Sequence, residues 1–350
     1  EEPLSLPAEE GYGYYPSVVV GHLLNRYKIV CKLGWACSSS VWLCVDTATP
    51  CKTYVAVKIL SAHVTGCIVG GLSAEYDIFR HIDPAGGHLC FAMDVLGPNM
   101  MALWSTKPNQ IFSVSITKHI IKQILYGVDY LHCECGYIHT DIKADNVLTI
   151  LPEPIIPKID KHLEEHQPAT YDNIKLSVKS QPLSDFNLDL HQLMVKLIDY
   201  SEATPINKHL NEHCQAAIVH VPEVTLGYPW STPVNIWSVG CLVFKLVTNF
   251  HLFSQPGPYS ADVDLQNMAE YLEPFPPQLL EACSCRAEYF NENVTDFMPS
   301  SLEDILYGLG TMQVDDIPGV AVFIRWCLAL DPTLHPSTLE LLNDVWLEHL

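Results

Sequence analysis

The segment that most constrains this chain is His139-Thr140-Asp141-Ile142-Lys143-Ala144-Asp145-Asn146. Asp141 supplies a carboxylate that can accept the proton of a hydroxyl nucleophile. Lys143 can neutralise negative charge on a phosphoryl group in transfer, and Asn146 offers an amide oxygen to a metal ion that bridges phosphates. This spacing predicts phosphoryl transfer, with Asp141 and Lys143 as catalytic residues and Asn146 as a metal ligand. A surface loop that holds these residues by chance is the alternative, and further motifs in matching order disfavour it.

Composition limits the possible folds and partners. The chain has 350 residues, of which 48% are hydrophobic and 17% are charged, which suffices for one large domain with two lobes or for two small domains. No run of 18 apolar residues occurs and no signal peptide is seen, so we expect no transmembrane helix. The net charge of −21 argues against binding of nucleic acids or anionic membranes and suits a basic protein partner. We expect a monomer in the cytoplasm, the nucleus or both.

The cysteines do not indicate a metal site or a disulfide framework. Their number, 13, is odd, and the close pairs Cys133-x-Cys135 and Cys283-x-Cys285 lack the C-x₂-C spacing that is typical of zinc sites. We therefore expect free thiols. The 16 histidines include no HExxH pattern.

The order of apolar patterns predicts an α+β fold with two lobes. Alternating, β-branched segments predict strands over 27–33, 40–45, 54–59 and 88–95, and helical spacing of apolar residues predicts helices over 72–82 and 114–132. Gly97-Pro98 marks the change from the β-rich part to the helical part. The expected organisation is an extended segment at 1–26, a small lobe at 27–97 and a larger lobe at 98–350 with an insert at about 151–195.

Two segments in the small lobe can contact phosphates. Lys58 ends the predicted strand sequence Val-Ala-Val-Lys, and Glu75, 17 residues later, lies in the predicted helix and could pair with it. Gly34 begins the stretch Gly-Trp-Ala-Cys-Ser-Ser-Ser-Val between two strands, where the backbone can cover phosphates. Only the first glycine of G-x-G-x-x-G is present there, so by itself this stretch would be read as an ordinary hairpin.

These motifs together resemble those of eukaryotic protein kinases. Asp199 in Leu-Ile-Asp-Tyr-Ser matches the metal-binding D-F-G position, and Val221-Pro222-Glu223 matches A-P-E. Closer similarity is to the SR-protein kinases and their fungal relatives. Three segments carry it: Lys32 to Leu43 is similar to KLGWGxFSTVWL, Thr140 stands where most kinases have Arg, and Tyr228 to Trp237 resembles GYxxxTPADIW.

The resemblance implies phosphorylation of Ser and Thr in Arg/Ser-rich, splicing-type proteins, with ATP and Mg²⁺. It implies catalytic roles for Lys58, Glu75, Asp141 and Lys143, and metal binding by Asn146 and Asp199. Residues expected to contact ATP are Leu33, Gly34, Val41, Ala56, Lys58, Met93, Asp94, Leu96 and Leu148. Asp262, Asp264, Glu270 and Glu273 lie where this family has an acidic docking surface, although a solvated helix face explains them equally well. Because Thr140 replaces Arg, activity is expected not to need a phosphorylated activation loop.

Several positions depart from the kinase pattern. Ala36 and Ser38 replace a glycine and the aromatic tip of the phosphate-covering loop, Ser201 replaces the Gly of D-F-G, and Lys245 stands where the family has Glu. Two changes concern structural pairs. Asn235 replaces the Asp that anchors the catalytic loop, and His335 replaces the Arg that pairs with Glu223.

The largest departure is a shortening before residue 88. Only residues 83–87 separate the predicted helix from the strand at 88–95, so the small lobe is expected to lack one strand and one hydrophobic spine residue. The hypothesis that fits the retained phosphate, metal and proton groups is an active Ser/Thr kinase. The first alternative is a pseudokinase that acts as a binding or scaffold module, and the second is a small-molecule kinase, which Val221-Pro222-Glu223 and Trp237 disfavour.

Overall fold

The structure is a computed structural model, and it describes the chain except at residues 17–21, 68–76, 106–109, 167–169, 172–173, 184–185, 187, 208–220, 255–256, 258, 291–299 and 349–350. The chain divides into two compact units. Unit 1 is Glu1–Pro98 with Ile150–Leu188, and unit 2 is Asn99–Thr149 with Asp189–Leu350. Unit 1 is built on a β-sheet and unit 2 is mainly helical, which confirms the predicted α+β fold. Among the described residues, no helix is long and apolar enough to span a membrane.

The strands and helices are numbered here in chain order. The strands are β1 His22–Leu23, β2 Tyr27–Ala36, β3 Ser39–Asp46, β4 Thr53–Leu60, β5 Asp77–Asp83, β6 Gly86–Met93, β7 Leu96–Asn99, β8 Tyr137–Ile138, β9 Val147–Ile150, β10 Thr170–Tyr171, β11 Ile174–Val178, β12 Val195–Leu197 and β13 Thr204–Pro205. The helices are α1 Ala62–Cys67, α2 Met100–Ser105, α3 Val114–Tyr130, α4 Ile155–Glu165, α5 Pro222–Thr225, α6 Pro233–Thr248, α7 Ala261–Tyr271, α8 Pro277–Ala282, α9 Arg286–Tyr289, α10 Leu302–Leu309, α11 Ile317–Cys327, α12 Thr338–Leu342 and α13 Val345–Glu348.

Unit 1 contains an antiparallel sheet of six strands in the order β1-β2-β3-β4-β6-β5. Both of its faces are apolar. Successive residues of a strand point to opposite faces, so in β3 Trp42 and Cys44 join one buried cluster while Leu43 joins another. The first cluster includes Tyr27, which stacks on Phe79 of β5 with ring centroids 5.3 Å apart.

The predicted helix over 72–82 is wrong where the structure describes it, because Asp77–Asp83 forms strand β5. This strand pairs with β6 in a hairpin, and the Asp83 carboxylate stabilises the turn by accepting hydrogen bonds from the backbone amides of Ala85 (2.7 Å) and Gly86 (3.2 Å). The expectation that the sheet lacks a strand is therefore also wrong. The connection between β4 and β5 includes helix α1.

The insert belongs with unit 1. The sequence predicts 151–195 as an insert in the larger lobe, whereas in the structure Ile150–Leu188 groups with the sheet. Leu151, Ile159 of α4 and Leu183 pack in the cluster that contains Leu43. The insert thus packs against the part of the second face that includes Leu43 and Tyr54. The Asp160 carboxylate of α4 accepts hydrogen bonds from Tyr54 of β4 and from Lys52, each at 2.6 Å.

The first residues of the chain are also fixed to this sheet. Lys32 of β2 is fully buried, and its ammonium group contacts carboxylate oxygens of Glu1, at 2.5 Å, and of Glu2. The Glu1 carboxylate also accepts hydrogen bonds from the amide and hydroxyl of Ser180 in the insert. A buried ammonium group needs such partners because its desolvation costs several kcal/mol.

Unit 2 is organised around two long helices. Ser113 caps α3 by accepting a hydrogen bond from the Ile116 amide, and a row of buried residues follows on one side of the helix (Ile116, Ile120, Ile121, Ile124, Leu125 and Val128). This confirms the helix predicted over 114–132. Helix α6 begins with Pro233 at its first turn and is buried along nearly its whole length. Eleven of the cysteines have free thiols in the structure.

We predict that Lys32→Met destabilises the fold by about 3 kcal/mol, because it leaves the Glu2 carboxylate buried without its cation. Urea unfolding measures the change. Lys28→Met is the matched control, since Lys28 lies on the same strand but is exposed, and it should change stability by less than about 0.5 kcal/mol. Equal stability of the two variants would contradict the assignment of Lys32 as a stabilising buried cation.

Candidate active site

Asp141 and Lys143, two of the four residues predicted to be catalytic, lie together in unit 2 with the predicted metal ligand Asn146. The Lys143 ammonium group lies 2.8 Å from a carboxylate oxygen of Asp141, and the Asn146 amide nitrogen donates to the same oxygen at 2.8 Å and to the Asp141 backbone carbonyl at 2.9 Å. The side chain of Asp141 is 14% exposed and that of Lys143 is 52% exposed. The carboxylate is thus oriented by two donors while it keeps access to solvent.

Backbone hydrogen bonds join this loop to the segment that carries Asp199. β9 follows the loop and pairs with β12, which ends two residues before Asp199. The Ile198 amide donates to the Asn146 carbonyl at 2.9 Å, and His139 Nε2 lies 3.1 Å from the Ile198 carbonyl. Burial lowers the pKa of His139, so the imidazole is neutral, with Nε2–H as donor and Nδ1 accepting from the Asp141 amide. Asp141, Asn146 and Asp199 are therefore held in one unit.

Two residues of this region adopt left-handed backbone conformations. Thr140 has φ of 66° and Asp199 has φ of 67°, which is uncommon for residues other than glycine and needs support from the surroundings. The Thr140 hydroxyl donates to the Glu202 carbonyl at 2.9 Å. His139 packs against Tyr200 with ring centroids 5.0 Å apart. These contacts stabilise the left-handed conformations of Thr140 and Asp199.

Asn235 anchors the catalytic loop even though it replaces an Asp. Its amide oxygen accepts a hydrogen bond from the Thr140 amide at 3.0 Å, and its amide nitrogen lies 2.9 Å from His132 Nε2. Burial lowers the pKa of His132 to about 4, so this imidazole is neutral and can accept the bond. From the sequence, the replacement of Asp by Asn235 predicts that the anchor is lost, and no sequence pattern identifies His132 as its partner. The loop is thus still anchored, by hydrogen bonds between neutral groups instead of a charged carboxylate.

The donor set of this region fits a magnesium ion. Mg²⁺ in nucleotide-dependent enzymes is held by one or two carboxylates together with substrate phosphates and water. Asn146 uses its amide nitrogen to bond Asp141, which leaves its amide oxygen for a cation, and Asp199 adds a carboxylate. In the described part of the chain no cluster of three or more His, Cys, Asp or Glu residues could bind a metal ion.

Unit 1 brings several of the predicted nucleotide-binding residues onto one face of the sheet. Val41 lies opposite Lys58 across β3 and β4, and Ala56 lies opposite Met93 across β4 and β6. Because alternate residues share a face, these side chains lie on the same side of the sheet. Gly34 pairs with Val41 in the hairpin that would cover the phosphates.

The remaining predicted residues are placed as follows. Leu33 packs against the buried cluster that includes Leu43, and Leu148 lies in β9 opposite Lys196. Asp94 follows β6 directly, and Leu96 is the first residue of β7. Glu75 lies outside the described residues, so its expected pairing with Lys58 stays a prediction.

Glu223 has lost the partner that the kinase pattern provides. Its side chain is buried, and neither carboxylate oxygen has a hydrogen-bond partner among the described residues. His335, which replaces the expected Arg, instead lies with its ring nitrogens 3.2 Å from the Pro233 carbonyl and 2.5 Å from the Ala329 carbonyl, and it stacks on Trp237. Burial raises the pKa of Glu223 to about 7.

One residue of the expected acidic surface does not face solvent. Asp264 in α7 is 1% exposed and shares a hydrogen bond with the Tyr259 hydroxyl. Asp262 and Glu273 are exposed, and Glu270 accepts a hydrogen bond from Gln266 at 2.9 Å. The expectation that all four acids form a docking surface is thus wrong for Asp264, because burial removes it from any surface.

Comparison with known proteins identifies the family. Residues 27–347 match the family model described as protein kinase domain. The chain belongs to the protein kinase family. The match spans both units and includes the catalytic loop, Asp199 and Glu223.

Comparison with individual relatives shows which group of protein kinases this chain resembles. It is 28% identical to a Physarum polycephalum protein named serine/threonine-protein kinase SRPK, over 91% of this chain and 85% of the relative. It is 24% identical to protein kinase dsk1 of Schizosaccharomyces pombe, over 97% of this chain and 84% of that one. Mouse SRSF protein kinase 3 is 35% identical over 44% of this chain and 31% of its own length. The prediction of an SR-protein kinase-like serine/threonine kinase is confirmed.

The fold also matches a solved structure. A kinase domain determined by crystallography aligns with a TM-score of 0.65 and 21% identity, over 95% of this chain and 98% of the other. A similarity at 21% identity is evidence for the fold alone.

We predict that Asn235→Asp raises the pKa of His132 from about 4 by at least about one unit, because a carboxylate beside the imidazole favours its protonated form. A pH titration of the histidine ring signals by NMR measures it. Asn249→Asp, at the end of the same helix, is the control and should leave the His132 pKa unchanged. If His132 kept its low pKa in Asn235→Asp, the hydrogen bond between these two side chains would be disproved.

We predict that Glu223→Gln stabilises the kinase by about 3 kcal/mol at pH 8 and by little at pH 4. The folded protein holds the Glu223 proton up to about pH 7, whereas the unfolded chain releases it near its ordinary value of 4.5. The free energy of unfolding therefore falls as pH rises between these values, and the glutamine lacks this penalty. Urea unfolding at both pH values tests this.

The control for Glu223→Gln is Glu281→Gln, since Glu281 lies in the same unit and is exposed. It should leave stability unchanged at both pH values. A gain for Glu223→Gln that is equal at pH 4 and pH 8 would show that loss of the buried charge is not its cause.

Proposed function

We propose that this protein is a catalytically active kinase that transfers the γ-phosphate of ATP to Ser or Thr residues of basic, Arg/Ser-rich proteins and uses Mg²⁺. Membership of the protein kinase family supports the reaction class. Catalytic competence and the choice of a basic substrate are the parts that are proposed.

The observation that carries the proposal is the environment of Asp141. Its carboxylate is bonded by both Lys143 and Asn146, and it is still partly exposed, so an incoming hydroxyl can reach it. A catalytic base must lie within hydrogen-bond reach of the proton that it accepts. A carboxylate held by two donors and open to solvent meets this requirement before substrate binds.

Each side chain of the loop has a distinct proposed role. Asp141 orients the substrate hydroxyl and accepts its proton, and Lys143 neutralises charge that develops on the transferred group. Asn146 and Asp199 would hold Mg²⁺, which when bound neutralises charge on the β- and γ-phosphates. Lys58, on the sheet face of unit 1, would bind α- and β-phosphate oxygens.

Charge and the names of relatives support a basic substrate. The chain carries a net charge of −21, which attracts cationic segments at long range. Relatives are named SRPK and SRSF protein kinase 3. Asp262 and Glu273 remain exposed in and after α7 and are candidates for contact with arginine side chains.

A pseudokinase that binds partners without catalysis is the second candidate. Glu223 favours it, because its buried carboxylate has no cation among the described residues, and this weakens helix α5, which precedes α6. Ala36 and Ser38 favour it as well, since they replace residues that shape the phosphate-covering loop. Retention of Asp141, Lys143, Asn146 and Asp199 together favours the active kinase.

The test is transfer of labelled γ-phosphate from ATP-Mg²⁺ to a peptide of Arg-Ser repeats. Asp141→Asn should lower kcat by at least about 100-fold, because loss of a general base costs about 10²–10⁴ in rate, while ATP affinity changes by less than about twofold. Asp315→Asn, the same change at an exposed position of unit 2, is the control and should keep full activity.

Three results would count against the active kinase or its substrate class. No transfer by a folded native chain that binds ATP indicates the pseudokinase. Equal transfer by the native chain and Asp141→Asn removes Asp141 from the role of base. Equal transfer to a peptide in which Glu replaces every Arg contradicts the basic substrate and leaves the reaction class unaffected.

A further inference from the structure

The N-terminal segment contacts the tip of the hairpin that would cover the phosphates. The Tyr14 hydroxyl lies 3.0 Å from the Ala36 carbonyl oxygen and 2.5 Å from the Cys37 carbonyl oxygen. The Tyr14 ring packs edge-on against Trp35, with centroids 6.4 Å apart. Tyr14 is 2% exposed. A buried side chain from outside the sheet thus bonds the backbone of this turn directly.

The turn itself lacks the residues that usually shape it. β2 ends at Ala36 and β3 begins at Ser39, so Cys37 and Ser38 form a two-residue connection. Two-residue hairpins favour turns with a residue at positive φ, commonly glycine, because their twist matches that of the strands. Neither Cys37 nor Ser38 is among the described residues with positive φ. A turn of this kind gains order from a restraint outside the hairpin.

Tyr14 is itself held on both sides. The Ala62 amide donates to the Gly13 carbonyl at 2.7 Å, and the Tyr15 ring packs edge-on against Trp42 with centroids 6.0 Å apart. Burial raises the pKa of Tyr14 to about 12, so its hydroxyl keeps the proton that it donates. Since Gly13 and Tyr15 are attached to the sheet unit, the hydroxyl of Tyr14 is a fixed donor rather than a mobile one.

We propose that Tyr14 is a positioning residue that holds the Ala36–Ser39 turn in the conformation that binds the phosphates of ATP, in place of the missing glycine and aromatic tip. This inference rests on the proposed function, because it assigns phosphate binding to the hairpin. The hydroxyl acts through the backbone carbonyls of the turn and does not contact the nucleotide itself.

The test compares Tyr14→Phe with Tyr15→Phe in the full chain. Tyr14 and Tyr15 are adjacent and buried, and each variant loses one hydroxyl; of these two hydroxyls, that of Tyr14 is the one bonded to the turn, where the Ser61 amide also donates to the Ser38 carbonyl at 2.8 Å. Loss of such a bond corresponds to about a fivefold change in affinity. For Tyr14→Phe we expect the Kd and KM for ATP to rise about fivefold, with kcat within about twofold and the Kd for adenosine unchanged. Tyr15→Phe should leave the affinity ratio of ATP to adenosine unchanged.

Hydrogen exchange without nucleotide supplies a readout that does not depend on catalysis. Tyr14→Phe should speed amide exchange over residues 34–40, while exchange over α3 stays the same and shows that the variant is folded. Unchanged exchange over 34–40 together with an unchanged Kd for ATP would overturn the proposal. Equal weakening of ATP and adenosine would overturn it as well, because the effect would then not concern the phosphates.

Failure of the proposed function gives a different pattern. A native chain that binds ATP without transferring phosphate, and whose Tyr14→Phe variant still shows the fivefold rise in Kd and faster exchange, contradicts the active kinase and supports the role of Tyr14. A native chain that binds no ATP contradicts both proposals.

Discussion

The hydrogen bond between the Asn235 amide oxygen and the Thr140 amide is the interaction on which the candidate active site depends. Asn235 lies on α6, a helix buried along nearly its whole length, so its side chain has a fixed position. Thr140 in turn bonds the Glu202 carbonyl, and its left-handed backbone directs the chain toward Asp141. A left-handed conformation is unfavourable for a β-branched residue, so Thr140 needs this anchor in addition to the bonds that His139 and Asn146 make to the Asp141 backbone within the loop.

Two departures from the kinase pattern have different physical consequences. Asn235 replaces a charged anchor, and the neutral imidazole of His132 accommodates the change because it can accept the hydrogen bond that the amide donates. His335 replaces a cation, and no described group takes over its role, so Glu223 stays buried without a partner. Hydrogen bonding can be rearranged when both groups are neutral. A buried carboxylate can be satisfied only by a cation, by donors or by its own protonation.

Two segments outside the sheet of unit 1 pack against it. The insert buries Leu151 and Ile159 on one face, and the first residues of the chain neutralise Lys32 and bond the β2–β3 turn. Both segments are remote in sequence from the strands that they stabilise. The sheet with the predicted phosphate-binding residues is thus supported by parts of the chain that carry no recognisable catalytic motif.

The sequence by itself determined the α+β class, the strands β2 to β4 and β6, helix α3 and the cluster of Asp141, Lys143 and Asn146, because these depend on neighbours within a few residues. Tertiary structure decided the rest. The apolar residues of 77–83 fit helical spacing, but the segment forms a strand because pairing with β6 buries Phe79 against Tyr27. The periodicity of a short apolar run does not distinguish a helix from a strand. Asn235 with His132, Tyr14 with the turn, and the insert with the sheet are contacts between residues far apart in the chain. Their geometry is set by packing, which leaves no local pattern in the sequence.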